Sequence, residues 1–297
     1  MVNSSHNSVI SSLFWKFGER ITAQLVSLFV SIILARMLTP DDYGSVALVM
    51  VFITIANVFV SSGFGNALIQ KNNADDLDFS SVFFINIAVA IVIYAVLFVC
   101  APIVAEFYKM PVLCPVLRVL SVRIPVAAVN SIQHAYVSRN MMFRKFFWSA
   151  LFGTVLSGFV GIIMAYNGFG IWALVWQYLT NACTDTFVLW FTVKWRPIFK
   201  FSLERAKTLI SFGWKLLVSS LLDTINTQLR SLIIGKVYTK SDLAYYNQGE
   251  KYPQVLVVNI NASISSVLFP VMSQVQDDRE KVKQLTRRAI QISSYVM

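Results

Sequence analysis

Residues 80–105 read SSVFFINIAVAIVIYAVLFVCAPIVA. No residue in this stretch is charged, and about 20 apolar residues in a helix are enough to cross the hydrocarbon core of a bilayer. Uncharged stretches recur at 44–70 and 252–276, and a fourth, 146–184, is long enough for two crossings around the turn Asn167-Gly168-Phe169-Gly170. In lipid the backbone must satisfy its own hydrogen bonds, which leaves helices or closed barrels. These runs are too continuous for the alternation of a barrel wall. The expected fold class is all-α: a polytopic membrane protein with helices at 10–36, 43–67, 80–105, 115–138, 146–166, 169–193, 208–235 and 243–273. A ninth begins near Leu285.

Composition agrees. Hydrophobic residues make up 56% of the chain and charged residues 13%, far from the balance of a soluble domain. The net charge of +10 does not mark a nucleic-acid surface, because the basic residues sit in short connections between apolar spans. With a cytoplasmic N-terminus, the inner connections hold Lys71, Arg139, Arg144 and Lys145, then the groups from Lys194 to Lys207 and from Arg279 to Arg288. The outer ones hold only Arg36, Lys109, Lys236 and Lys240. The positive-inside rule favours that orientation. Trp15, Trp148, Trp172, Trp195 and Trp214 fall near span ends, as an interfacial belt requires. Cys100, Cys114 and Cys183 lack disulfide or metal spacing, His6 and His134 are the only histidines, and no cofactor or metal is expected. No GxxxxGK loop marks an ATP site. The polar leader through Ser8 runs into the first span, which is expected to act as an uncleaved anchor.

A shift of 200 residues lays Ile33-Leu34-Ala35-Arg36-Met37-Leu38-Thr39-Pro40-Asp41-Asp42 on Ile233-Ile234-Gly235-Lys236-Val237-Tyr238-Thr239-Lys240-Ser241-Asp242. Both segments end an apolar span with a basic residue and a Thr-x-x-Asp turn. Six spans lie between them, an even number, so the copies share an orientation. Such parallel repeats are related by an axis along the membrane normal. The expected organisation is a six-helix lobe over residues 1–205 and the start of a second lobe over 206–297, truncated. A complete second lobe implies roughly 400 residues or more.

Polar residues inside spans face a bundle interior or a hydrated cavity. On a helix advancing about 100° per residue, Lys215, Ser219, Asp223, Asn226 and Arg230 share about 80° of arc. Arg20, Gln24, Ser27 and Ser31 share about 60° of the first span. Glu250 and Gln254 align with Asn247, Asn261 and Ser265 on the eighth span, and Arg123 with Asn130 and His134 on the fourth. Two readings stand. The stripes line a cationic cavity suited to a glycan phosphate, guanidinium groups holding phosphate and amides holding sugar. Alternatively they join helices, Lys215 pairing with a nearby acid and Asp223 with Arg230. The candidate substrate-binding residues are Arg20, Gln24, Arg123, Lys215, Asp223, Asn226, Arg230, Glu250 and Gln254. His134 is expected as an interhelical polar group, and Gly153, Gly158 and Gly161 as close-packing points. Pro102, Pro125 and Pro270 are expected to kink or end helices. The acids Asp75, Asp76 and Asp78 are expected in a solvated turn.

Trp15-Lys16-Phe17-Gly18-Glu19-Arg20 and the segment from Ile33 through Asp42-Tyr43-Gly44 resemble the opening of the polysaccharide exporters. Gly168-Phe169-Gly170-Ile171-Trp172-Ala173-Leu174 and Ser211-Phe212-Gly213-Trp214 are similar to later signs of the same family. These are the Wzx-type lipid-linked oligosaccharide flippases of the MOP superfamily, here closest to the colanic-acid and lipopolysaccharide branch. The resemblance implies two lobes around a cationic cavity with alternating access. It implies an undecaprenyl-pyrophosphate-linked oligosaccharide as substrate, a bacterial inner membrane, and polysaccharide polymerase and export machinery as partners. A drug–cation antiporter would favour acids in the cavity, where basic groups outnumber Asp185, Asp223 and Glu250. A membrane glycan polymerase would need a large extramembrane loop, and the longest connections, near 71–79, 194–207 and 274–284, are too short.

Overall fold

The computed structural model describes residues 24–61, 68, 75–140, 142–200, 202–251, 253, 283, 284, 287 and 291. Two compact units divide after Ala244. The first contains α1 (described over Gln24–Met37), α2 (Pro40–Ser61), α3 (Asp76–Phe107), α4 (Leu113–Leu120), α5 (Arg123–Arg139), α6 (Phe143–Tyr166), α7 (Ile171–Thr192) and α8 (Leu203–Val237). A last described helix, α9, runs over 240–251 and continues into the second unit. Every element among the described residues is helical. Pro40–Ser61, Asp76–Phe107, Leu113–Arg139 and Arg144–Tyr166 are long and apolar enough to cross a membrane.

Local chemistry sets the helix starts earlier than hydropathy alone indicates. Proline suits the first position of α2 because its missing N–H would be unpaired there anyway. Thr39 and Asp42 close a reciprocal cap: Asp42 N–H donates to Thr39 Oγ1 at 3.3 Å, and Thr39 N–H to Asp42 Oδ2 at 3.1 Å. The same exchange opens α3, where Asp78 N–H donates to Asp75 Oδ1 at 3.0 Å and Asp75 N–H to Asp78 Oδ2 at 3.2 Å. The solvated turn expected over Asp75, Asp76 and Asp78 holds for the exposed Asp75 and Asp76 and is corrected at Asp78. Asp78 is fully buried, and Asp76 Oδ1 accepts from Trp195 Nε1 at 3.1 Å.

The span expected at 115–138 is two helices, broken at Ser121-Val122. Pro125 has no N–H for the Ser121 carbonyl, and Ile124 N–H takes that carbonyl at 2.9 Å in a tighter turn. Pro102 stays inside α3 and frees the carbonyl of Phe98. Arg118 on α4 fills the gap, donating from Nε to Phe98 O at 3.3 Å with its guanidinium 4.4 Å from the Phe98 ring centre.

The turn at 167–170 is as expected. Phe169 N–H reaches Met164 O at 3.1 Å and Gly168 N–H reaches Ala165 O at 3.0 Å, a Schellman closure with Gly168 at φ +78°. It folds α6 and α7 into a closely packed antiparallel pair. The expected close-packing glycines sit there: a Cβ on Gly153 would lie 3.4 Å from Asn181, and one on Gly161 3.2 Å from Gln177 of α7. One on Gly158 would fall 2.5 Å from Val30 of α1.

α2 is the hub, touching α3, α4, α5, α7 and α8 and burying Leu48, Val49, Ile53 and Val60. α3 is peripheral and exposes Ile91, Val92, Val96, Val99 and Ile103. In water such a face would be costly; in a bilayer it is the lipid-facing side. A second, aromatic core closes one end of the bundle, where Phe79, Phe83, Tyr136 and Trp195 pack together. Rings with a polar edge suit the membrane interface.

Candidate functional site

α8 runs along α2 and carries a long polar stripe. Lys215, Ser219, Asp223, Asn226 and Arg230 are all exposed, so the stripe is not packed against α2. Asp223 and Arg230 make no ion pair with each other, and Thr227 Oγ1 bonds back to the Asp223 carbonyl at 2.9 Å. Gln24 on α1 is half-buried. Arg123 opens α5 in a different place, half-buried inside the bundle. Its Nη1 points at Met50 Sδ of α2 at 3.9 Å, and its guanidinium lies 5.8 Å from the Tyr178 ring of α7. Arg123 and the α8 stripe therefore belong to different surroundings. Glu250 lies on α9 within the second unit. Arg20 and Gln254 lie outside the described residues.

A second polar centre went unread in the sequence. Asp185 of α7 accepts from Asn130 Nδ2 at 2.5 Å and from the Ser149 hydroxyl of α6, and its Oδ2 lies 3.4 Å from His134 Nε2 of α5. Two helices thus deliver three hydrogen-bonding groups to a carboxylate on a third. Phe146 stacks on the His134 ring at 4.6 Å. A cavity of about 220 Å³ beside the carboxylate is lined by His134, Phe146, Ser149, Thr154, Asn181 and Asp185. His134 is therefore an interhelical polar group, as expected. Asn130 and His134 stand one turn apart on α5, which was legible. Their partner, 55 residues from Asn130 and 51 from His134, was not, because only tertiary packing brings α7 there.

The two Thr-x-x-Asp turns meet. Thr239 and Asp242 repeat the Thr39–Asp42 cap, with Thr239 N–H to Asp242 Oδ2 at 3.0 Å and Asp242 N–H to Thr239 Oγ1 at 3.1 Å. Ser241 Oγ donates to Asp41 Oδ1 at 2.7 Å. Gly44 lies so close to Lys240 that an added Cβ would stand 1.9 Å from its carbonyl oxygen. Only glycine allows that approach. Beside them Lys236 donates its ammonium to the carbonyl of Phe107 at the end of α3, with its Nζ 3.8 Å from the Phe107 ring centre.

This arrangement of helices is a fold shared with solved MATE-family structures. It superposes on an inward-facing multidrug resistance MATE transporter with a TM-score of 0.69 at 16% identity, covering 92% of this chain and 68% of the other. A second MATE structure, in complex with Br-NRF, matches with a TM-score of 0.50 at 15% identity, over 97% of this chain and 73% of that one.

Residues 33–297 match the family described as polysaccharide biosynthesis protein, and the chain belongs to that family. It is 27% identical over 91% of its length to the succinoglycan biosynthesis transport protein ExoT of Rhizobium meliloti, spanning 55% of that protein. The lipopolysaccharide biosynthesis protein WzxC of Escherichia coli is 23% identical over 94% of the chain and 57% of its own length. The teichuronic acid biosynthesis protein TuaB of Bacillus subtilis is 23% identical over 93% and 58%. The chain thus spans a little over half the length of these curated relatives. With four described helices long and apolar enough to cross a membrane, it is a multi-pass membrane protein.

Proposed function

We propose that the chain forms the first lobe and the opening helices of the second lobe of a flippase. Its substrate is an undecaprenyl-pyrophosphate-linked oligosaccharide, moved from the cytoplasmic to the periplasmic leaflet by alternating access. The first lobe ends near residue 205 and the second begins with α8. The observation that carries this reading is the exposed α8 stripe. Lys215, Asp223, Asn226 and Arg230 stay unpacked along a helix of a membrane bundle, where polar side chains need water, partners or a polar solute. Cations hold pyrophosphate and amides hold sugar hydroxyls, while translocation itself needs no covalent chemistry. The names of the relatives, which concern succinoglycan, lipopolysaccharide and teichuronic acid, support a polysaccharide precursor as cargo.

The contact between the turns at 39–42 and 239–242 supplies a gate at one end of the lobes. With a cytoplasmic N-terminus that end faces the periplasm. Glycan release then requires Ser241 to leave Asp41 and the Lys240 backbone to leave Gly44. The test is complementation of cells lacking their own lipid-linked glycan flippase, with the complete reading frame carrying Arg230→Ala. The expected result is normal membrane abundance with precursor trapped in the cytoplasmic leaflet. Wild-type export by this variant at matched abundance would remove the stripe from the transport path.

A further inference from the structure

A groove of about 600 Å³ runs down the outside of the α6–α7 pair, at the end where the basic connections cluster. Its floor and walls are apolar: Trp148 and Phe152 of α6 stack at 5.8 Å, one helical turn apart, and face Val188 of α7. Its rim is cationic. Arg144 and Lys145 lie at the start of α6, beside Thr192 at the end of α7. Among the described residues no carboxylate lines it. Lys194 adds to the positive potential felt at Lys145. Arg196 contributes less as a ligand, because its guanidinium is spent on the carbonyls of Trp190, Val193 and Trp195.

We propose that this groove is a binding site for an anionic phospholipid, its phosphate at Arg144 and Lys145 and one acyl chain along Trp148, Phe152 and Val188. The charge layout selects the occupant. An acyl chain alone needs no cationic rim, and a free anion needs no apolar trough about 12 Å long from Arg144 to Phe152. Lys145 already donates one hydrogen bond, from Nζ to Thr192 O at 2.6 Å. An ammonium has three donors, so this bond positions it and leaves two for phosphate oxygens. Arg144 supplies a planar fork that matches phosphate geometry. The volume lies in the range of sites that hold small ligands. Trp148, with 39% of its surface exposed, is a ring with an N–H edge at the depth where headgroup meets hydrocarbon. A basic pocket between transmembrane helices is a known physical solution to holding anionic headgroups.

The site lies outside the α8 stripe and does not depend on the flippase reading. It is tested on the complete purified protein by native mass spectrometry after delipidation, titrating phosphatidylglycerol against phosphatidylcholine of identical chains. The wild type is expected to retain one phosphatidylglycerol in preference. Arg144→Gln is expected to weaken that binding about fivefold, and Arg144→Gln with Lys145→Gln roughly thirtyfold, with phosphatidylcholine unchanged. Trp148→Ala is expected to weaken both lipids, because it removes the acyl wall. Arg144→Gln leaves the Lys145–Thr192 bond in place, so it reads out even if the double variant does not fold. Equal retention of the two lipids by the wild type, or unchanged phosphatidylglycerol binding in Arg144→Gln, overturns the proposal. Preferential displacement of phosphatidylglycerol by undecaprenyl phosphate also overturns it and gives the groove to a polyprenyl lipid.

Discussion

Ser241 donates its hydroxyl to the Asp41 carboxylate at 2.7 Å across a separation of 200 residues, the same offset that lays one Thr-x-x-Asp turn on the other. Residues related by a two-fold operation touch each other only close to its axis. The neighbouring approach of Gly44 to Lys240 fits a local axis passing between the two turns. A sequence repeat of few identities thus acquires a geometric meaning.

That contact is open to a direct test. In the complete protein, with Cys100, Cys114 and Cys183 replaced, Asp41→Cys with Ser241→Cys is expected to form a disulfide on mild oxidation and to stop glycan export. Reductant is expected to restore it. Gly44→Val is expected to abolish the close approach and lower crosslinking. A complete crosslink with unimpaired export would show that the two turns never need to part.

The acid of the second turn carries a pH signature. Thr239 donates its hydroxyl at 2.6 Å and its amide to Asp242, and these bonds hold the Asp242 carboxyl below its usual range. A depressed carboxylate contributes stability above its unfolded value and loses it as pH falls through the folded one. Asp242→Asn should therefore weaken the turn at neutral pH and make no difference well below pH 4, within the acid range that spans folded and unfolded carboxylates. Hydrogen exchange at Thr239 measures it. A variant effect that persists unchanged into acid would contradict the assignment.

Arg118 and Pro102 should be energetically coupled. Arg118 serves the Phe98 carbonyl only because Pro102 cannot. Arg118→Met is expected to cost about 1 kcal/mol beside Pro102, and less in Pro102→Ala, where the helix can reclaim that carbonyl. A double-mutant cycle by thermal unfolding in detergent gives the coupling. Strict additivity would mean that the two features are unrelated.

Asp185 should matter to stability before it matters to cargo. Asp185→Ala leaves the buried Asn130 amide and Ser149 hydroxyl without their shared acceptor at a half-buried site, with an expected cost of about 2 kcal/mol. Asp185→Asn keeps the shape and is expected to cost less. By contrast, Lys215→Gln and Arg230→Gln on the exposed α8 stripe should leave unfolding within about 0.5 kcal/mol of the wild type. Thermal scans of the four variants separate the two classes. Stripe variants that unfold as readily as Asp185→Ala would place those side chains in the bundle core instead.

Spans were legible wherever composition alone decides: long uncharged runs produced α2, α3 and the α6–α7 hairpin, and Gly168 marked its turn. Boundaries were less so. The start of α3 moved from Ser80 to Asp76 because Asp75 and Asp78 cap it. The pair Asp75-x-x-Asp78 before an apolar run is a readable start signal, obscured here because three acids together suggest solvent. Pro125 announced a helix break, while Pro102 did not produce one, since a guanidinium from another helix replaced the missing bond.

Membrane residence and helical class follow from one-dimensional facts. Lipid offers the backbone no hydrogen-bond partners, so an uncharged run of sufficient length has a single outcome whatever its neighbours. Periodicity likewise placed Lys215, Asp223, Asn226 and Arg230 on one face of α8. Which stripes remain open and which are enclosed was decided by packing. Arg123 shares its character with the α8 cations, yet it lies between Met50 and Tyr178 inside the bundle. Asp185 looked like an isolated acid until α5 and α6 delivered three groups to it. A charge in a membrane takes its role from whatever the other helices bring within about 3 Å of it, and hydrogen bonds between residues 36 to 200 positions apart are set only when the bundle closes.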